Sequence, residues 1–335
     1  MKQDRLINKN VIDDVYALEY QLVTSWSLVC SNCHTALGRN LNECICTGCG
    51  RRYPIEAGVI RFMDRDAFYE NRYEPGTLNF LPNERTPWGQ ALLYLVSMHY
   101  FWYIRRYIPM GSKIIDLACG GGMRYLTTRG SVAGVEVSMA SARKMAEVYD
   151  LGLQTSALQI PLASGSVDAV VSRFFFEHVP AADKRPLLAE IRRVLRPGGW
   201  LITQQDCECD NSLWQWAKQD PDLFQRRFID NDGHLGLITA SENLALFRAC
   251  GFEVVNYHAS NKTPLVSLSM LEWMQPYREK SRTANFWLGL AAVVNRNKFL
   301  STAYIFGTTL LDDILEPLLP LNGARYLTCI CRVPE

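Results

Sequence analysis

The chain has 335 residues, 48% of them hydrophobic and 21% charged, with a formal net charge of +1. That size and balance suit one large globular domain plus a small module, and argue against a disordered or fibrous chain. A near-neutral charge disfavours a protein built to grip long nucleic acid, and no run of about 18 uncharged apolar residues offers a transmembrane helix.

Residues 1–27 carry no usable pattern. Met1-Lys2-Gln3-Asp4-Arg5 leads into no apolar stretch of the kind a secretion signal needs, so a cytoplasmic location is expected. There, clustered cysteines favour metal over disulfides. Five of the eleven cysteines lie within residues 30–49. Cys30-Ser31-Asn32-Cys33 and Cys46-Thr47-Gly48-Cys49 form two Cys-x-x-Cys knuckles with twelve residues between them. Four thiolates so spaced can occupy the corners of a tetrahedron, the closed shell of a structural zinc site. Cys44 competes with Cys46 but lacks the x-x spacing to Cys49, and His34 reads as a surface neighbour. Residues 1–62 are thus expected to hold an N-terminal segment and a zinc-ribbon module.

Residues 63–110 begin as a turn-prone linker through Glu74-Pro75-Gly76 and Thr86-Pro87-Trp88-Gly89, then become an aromatic helix from Ala91 to Ile108. From 111 to 335 the pattern alternates. Strands are expected at Ile114–Leu117, Val132–Val137, Asp168–Ser172, Trp200–Thr203, Phe252–Val255 and Arg325–Cys331. Helices are expected at Ala140–Tyr149, Pro186–Leu195 and 241–250. Strands separated by helices of this length predict a doubly wound, mostly parallel α/β sheet. Residues 260–322 break that rhythm as a helical insertion before the last strand, carrying Trp273, Phe286, Trp287, Phe299, Tyr304 and Phe306.

Asp116 closes the first of these strands and is followed by Ala118-Cys119-Gly120-Gly121-Gly122. A glycine-rich turn into a helix lets a nucleotide-like ligand approach backbone amides. Glu136 ends the next strand, twenty residues on, where a carboxylate can accept hydrogen bonds from both hydroxyls of a ribose.

These segments, together with Leu158-Gln159-Ile160-Pro161-Leu162, Glu177-His178-Val179 and the run Glu190 to Gly199, resemble class I methyltransferases of the UbiE/type-11 group across roughly residues 112–256. The resemblance implies a seven-stranded sheet and use of S-adenosylmethionine. It places the methionine part on Asp116, Ala118, Cys119, Gly120 and Gly122, the ribose on Glu136, and the adenine beside Ser156, Ala157 and Leu158. Ala118 replaces a usual glycine, and Ser156 stands where an acidic residue commonly meets the adenine amino group. The segment Gly50 to Phe62 is similar to zinc ribbons that precede some ribosomal-RNA guanine methyltransferases.

A hydroxyl acceptor would need a general base. His234, Asp206 and His178 are the candidates, each with a structural alternative: a helix cap for Asp206, a framework role for Glu177-His178. Three readings follow. The first is methylation of a small or lipid-like molecule, favoured by neutral charge and the apolar insertion. The second is base methylation of RNA, favoured by the zinc module with Arg51 and Arg52. The third is a non-catalytic binding protein that keeps the fold. The insertion suits a lid, a homodimer surface, added core or a membrane-contacting element.

Overall fold

A computed structural model describes residues 25–65, 70, 81, 83–265, 275 and 281–335. The chain divides into two compact units, one of residues 1–79, 110–168 and 190–196, the other of residues 80–109, 169–189 and 197–335.

In the first unit, β1 (Leu37–Arg39), β2 (Glu43–Cys46), β3 (Arg52–Glu56) and β4 (Val59–Arg61) form an antiparallel ribbon. The β3–β4 turn uses Ala57 and Gly58 at φ of 50° and 78°, the paired left-handed conformation that matches hairpin twist. Next come β5 (Ser112–Leu117), β6 (Gly130–Glu136) and β7 (Leu151–Gln154). The strand order is β1-β2-β3-β4-β7-β6-β5, and β4 pairs with β7 in parallel. The ribbon therefore continues the sheet through its last strand and is no detached bead. Ile114, Ile115, Val132 and Ala133 are fully buried, as strands covered on both faces require. All four residues of β7 are buried too, yet Leu-Gly-Leu-Gln is too short and irregular to read as a strand in the sequence. The helix expected over 140–149 runs Met139–Ala146, capped by the Ser138 hydroxyl, which accepts from the Ser141 amide at 3.3 Å.

The second unit holds all but the first two residues of β8 (Val167–Arg173) and of β9 (Leu195–Asp206), with β10 at Glu253–Ser260 and β11 at Tyr326–Arg332, in the order β8-β9-β11-β10. β11 runs antiparallel to both neighbours. The helix Ala240–Ala249 opens with a capping box between Thr239 and Glu242.

The helix expected from 91 to 108 is two helices, Pro87–Ser97 and Tyr100–Tyr107. Met98 and His99 break it at φ of 45° and 67°, left-handed values that cost a residue with a Cβ roughly 1 kcal/mol or more each. Hydrogen bonds offset that strain. Gln204 Nε2 donates to the Ser97 carbonyl at 2.9 Å, and Ser97 Oγ accepts from the Phe101 amide at 3.2 Å.

The insertion contributes helices Arg282–Val294 and Lys298–Leu315. The first buries Ala284, Leu288 and Ala291 with Trp214, Phe224 and Phe228, so part of the insertion is core. Its partner is tied down by Asp312, whose carboxylate accepts the amides of Asn261, Lys262 and Thr263 at 2.7, 2.9 and 3.0 Å. Trp273 lies outside the described residues. Among these, no helix is long and apolar enough to cross a membrane.

Candidate functional site

The four knuckle thiols converge. The sulfurs of Cys30, Cys33, Cys46 and Cys49 all lie within 4.8 Å of one another. Cys30 and Cys49 stand 3.7 Å apart, Cys33 and Cys46 3.4 Å. Two donors about 2.3 Å from one tetrahedral zinc are separated by about 3.8 Å, so the spacing suits that ion. Amides aim at the sulfurs as a thiolate shell needs: Asn32 at Cys30 (3.4 Å), Gly48 and Cys49 at Cys46 (3.4 and 3.3 Å). Cys44 stays outside the cluster, fully buried on β2, and burial pushes its thiol up and away from the thiolate form. His34 is exposed and also outside.

The glycine turn in the same unit is built around two buried carboxylates. Asp116, 1% exposed, accepts from the Tyr149 hydroxyl at 2.5 Å, and that hydroxyl accepts from the Met123 amide at 2.6 Å. Burial pushes Asp116 up to about 7, with the Tyr149 bond opposing the rise. Ala118, Gly120 and Gly122 all take positive φ (54°, 55° and 88°), which turns the backbone back on itself. A Cβ on Gly122 would press on the Tyr149 ring at 3.2 Å.

Glu136 closes the turn. Its Oε2 accepts from the Gly120 amide at 2.9 Å, and its Oε1 from Val137 and Ser138 at 2.8 and 3.0 Å. A carboxylate offers about four acceptor positions, so three backbone bonds leave room for one ribose hydroxyl. Gripping both hydroxyls requires the Gly120 amide to yield. Ser156 Oγ accepts from the Leu158 amide at 3.2 Å, which shapes the Ser156-Ala157-Leu158 turn and keeps its own O–H as a donor. Leu158 is 42% exposed.

Two members of this site escaped the sequence reading. Tyr149 carries no motif, and only the helix that returns it over β5 reveals it. Glu70, in the segment read as linker, accepts from the Met139 and Ala140 amides and caps their helix. Its charge also adds to the upward push that burial exerts on Glu136.

The second unit brings His178, Asp206 and His234 together with Glu177. His234 Nε2 lies 3.4 Å from Asp206 Oδ2, and the His178 and His234 rings are 5.3 Å apart. His178 Nδ1 lies 3.0 Å from the Gly233 carbonyl, which fixes it as the donating nitrogen. The chain folds tightly there: the Gly236 amide donates to the Glu177 carbonyl at 2.8 Å, and a Cβ on Gly236 would collide with the Val179 carbonyl at 1.8 Å. Asp206 caps no helix, since Asn211 caps the one at Ser212–Ala217.

Burial separates these groups' proton affinities. Glu177 is pushed far up, by burial and then by the Asp206 charge. Asp206 rises to about 6 through burial, against the pull of Arg325. His234 falls to about 4 through burial and its neighbours His178 and Arg325. A base works best with a pKa near the working pH, so Asp206 is better matched than His234.

Residues 115–203 match the family described as a methyltransferase domain. This segment is a methyltransferase domain. The chain is 30% identical over 187 residues to the tRNA (carboxymethyluridine(34)-5-O)-methyltransferase of Macaca fascicularis, covering 48% of this chain and 26% of that protein. It is 37% identical over 101 residues to the demethylmenaquinone methyltransferase of Thermus thermophilus, covering 27% of this chain and 45% of that one. It spans less than half the length of each of these two relatives. Among solved structures, a phosphoethanolamine N-methyltransferase of Haemonchus contortus with S-adenosylhomocysteine covers 74% of this chain and 54% of its own, at 17% identity and a TM-score of 0.44. The matched stretch begins inside β5 and ends inside β9, so it contains the glycine turn, Glu136 and Glu177-His178.

If the four thiolates hold a structural ion, stringent metal removal lowers the melting temperature of the full chain by roughly 10 °C or more, read by calorimetry. Unchanged melting after complete stripping would contradict that role.

Proposed function

We propose that the chain transfers the methyl group of S-adenosylmethionine to a small or lipid-like molecule, at a hydroxyl or other nucleophilic heteroatom. The observation that carries the transfer is the methyltransferase domain with its turn intact: three left-handed positions, a buried Asp116, and Glu136 bonded to the Gly120 amide. S-adenosylmethionine supplies an electrophilic methyl on a cationic sulfonium. Asp116 suits its ammonium group, Gly120 and Gly122 its methionine chain, Glu136 a ribose hydroxyl, and the Ser156-Ala157-Leu158 turn the adenine. Zinc in the Cys30-Cys33-Cys46-Cys49 shell has a structural part, since four protein donors leave no position for a substrate.

The apolar insertion supports the acceptor class. Phe286, Phe299, Ile314 and Leu318 are 65%, 76%, 64% and 80% exposed, more apolar surface than a plain globular face needs. For a hydroxyl acceptor, Asp206 takes the proton, with His234 beside it and His178 holding the Gly233 loop.

A second reading, methylation of an RNA base, is favoured by the tRNA methyltransferase relative. The zinc ribbon supports it weakly, because Arg52 is already paired with Glu43 at 2.8 Å and Arg51 lies over the Tyr53 ring.

Methyl-labelled S-adenosylmethionine, incubated with the protein and host extract, separates the readings. Label is expected in the organic-soluble or small-molecule fraction, and label in RNA overturns the acceptor assignment. Glu136→Ala is expected to weaken cofactor binding about 10- to 100-fold by calorimetry, since bonds to an ionised carboxylate are worth roughly 1.5–3 kcal/mol. Wild-type affinity in that variant would sink the ribose assignment. With Asp206 as base, kcat/KM rises as pH climbs through about 6, because the carboxylate must lose its proton before it can accept one. Asp206→Asn is expected to abolish that limb while cofactor binding persists.

A further inference from the structure

A second cluster of donor atoms lies in the unit that holds β10, apart from the four thiols. His99 comes from the left-handed break between the helices Pro87–Ser97 and Tyr100–Tyr107, His258 from β10, and Asp313 from the helix Lys298–Leu315. Their ligand atoms all fall within 4.8 Å of one another. The geometry points to a divalent transition-metal site formed by His99, His258 and Asp313.

Spacing is the first support. His99 Nε2 lies 2.9 Å from Asp313 Oδ2, and His258 Nε2 lies 3.2 Å from Asp313 Oδ1. Donors each about 2.1 Å from a shared ion, at octahedral to tetrahedral angles, stand about 3.0–3.4 Å apart. A plain hydrogen-bonded triad accounts for the His99 contact but not for the other. His258 Nε2 and Asp313 Oδ1 are inaccessible to solvent, close together, and make no hydrogen bond among the described residues. Buried polar atoms so placed cost roughly 1–3 kcal/mol each unless something else engages them, and a cation engages both.

The surroundings are those of an oriented site. The Tyr94 hydroxyl donates to Asp313 Oδ2, the oxygen that also faces His99. The Tyr94 ring stands edge-on to His99 at 4.4 Å, and the His99 and His258 rings lie 4.2 Å apart. Such outer contacts fix imidazole and carboxylate directions around a metal. The strained φ of 67° at His99 is what swings its ring toward β10. The side chains of His99, His258 and Asp313 are 18%, 12% and 19% exposed, although His258 Nε2 and Asp313 Oδ1 themselves are covered.

Two imidazoles and one carboxylate select the class of ion. Calcium and magnesium want oxygen donors, whereas zinc, cobalt, nickel and ferrous iron accept this mixed set. Three protein donors leave coordination positions for water. The ion would join the helix break, the strand and the insertion helix at one point.

Titration of the metal-stripped full chain with Co2+ tests the site, because cobalt reports its ligands. The four thiols give an intense sulfur-to-cobalt charge-transfer band, while a site of two imidazoles and a carboxylate gives weak d–d absorption without it. The wild type is expected to bind one equivalent with the sulfur band and a further equivalent without it. His258→Ala and Asp313→Asn should each lose the further equivalent and keep the first, with circular dichroism confirming the fold. Tyr94→Phe, which removes only the outer hydroxyl, should weaken the further equivalent about tenfold or more. Saturation of the wild type at a single thiolate-bound equivalent overturns the assignment. So does a further equivalent that persists unchanged in both ligand variants.

Discussion

The bond from the Gly120 amide to Glu136 holds the turn after β5 in shape, and much of the first unit depends on it. The turn runs through three left-handed residues, one of which, Ala118, has a Cβ and so carries strain of roughly 1 kcal/mol that glycine would avoid. Two contacts retain that conformation: the Ala118 amide donates to the Val135 carbonyl at 2.9 Å, and Glu136 catches the far side of the loop. Val135 and Glu136 are consecutive on β6, so one strand end holds both sides of the turn. Among the described residues, no cation pairs with the buried Glu136. Three backbone N–H groups take the place of one, which explains how a carboxylate persists where burial pushes its pKa up.

This arrangement shows which features the sequence could express. A knuckle is local: Cys30 and Cys33, or Cys46 and Cys49, are fixed by spacing alone, and the amides that face the sulfurs come from the same few residues. Glu136 is nearly as legible, because a strand, a glycine turn, a helix and a second strand put it beside that turn by topology. Tyr149 and Glu70 are not legible. Tyr149 reaches Asp116 from beyond the end of the helix Met139–Ala146, Glu70 meets the first amides of that same helix from far along the chain, and neither belongs to a pattern. The break at Met98–His99 is hidden for a related reason. No glycine or proline marks it, and its hydrogen bond from Gln204 crosses from β9, over a hundred residues later. β7 vanished because a four-residue strand with a central glycine has no periodicity to detect.

The second unit treats buried charge in two ways, and the neighbours Asp312 and Asp313 show both. Asp312, 1% exposed, takes three backbone amides from residues 261–263, so both of its oxygens are hydrogen-bonded. Its work is to fasten the helix Lys298–Leu315 to the chain leaving β10. Lys262 reinforces the same junction by donating to Glu316 at 2.8 Å. Asp313 meets imidazoles and a phenol instead of amides, and one of its oxygens makes no hydrogen bond among the described residues. Asp312 acts as a fastener, because its amide bonds join the helix to the residues that follow β10. An unsaturated carboxylate retains binding capacity, and burial raises the energy of leaving it idle.

The same distinction orders the groups around His234. Glu177 Oε2, Asp206 Oδ1 and His234 Nδ1 are buried and make no hydrogen bond within the described residues. Packing alone would not retain three such atoms in one place, because each could be replaced by an apolar atom of similar volume at a gain in stability. Their spread of proton affinities follows from position. Glu177 has the Asp206 carboxylate as its largest charged influence, Asp206 has Arg325 to moderate it, and burial with His178 and Arg325 lowers His234 against the opposing pull of the Phe228 backbone. A proton entering this cluster at neutral pH is therefore held by the carboxyl groups and not by the imidazole. That ordering makes His234 a neutral hydrogen-bonding partner, and it leaves Asp206 as the group whose charge changes near neutrality.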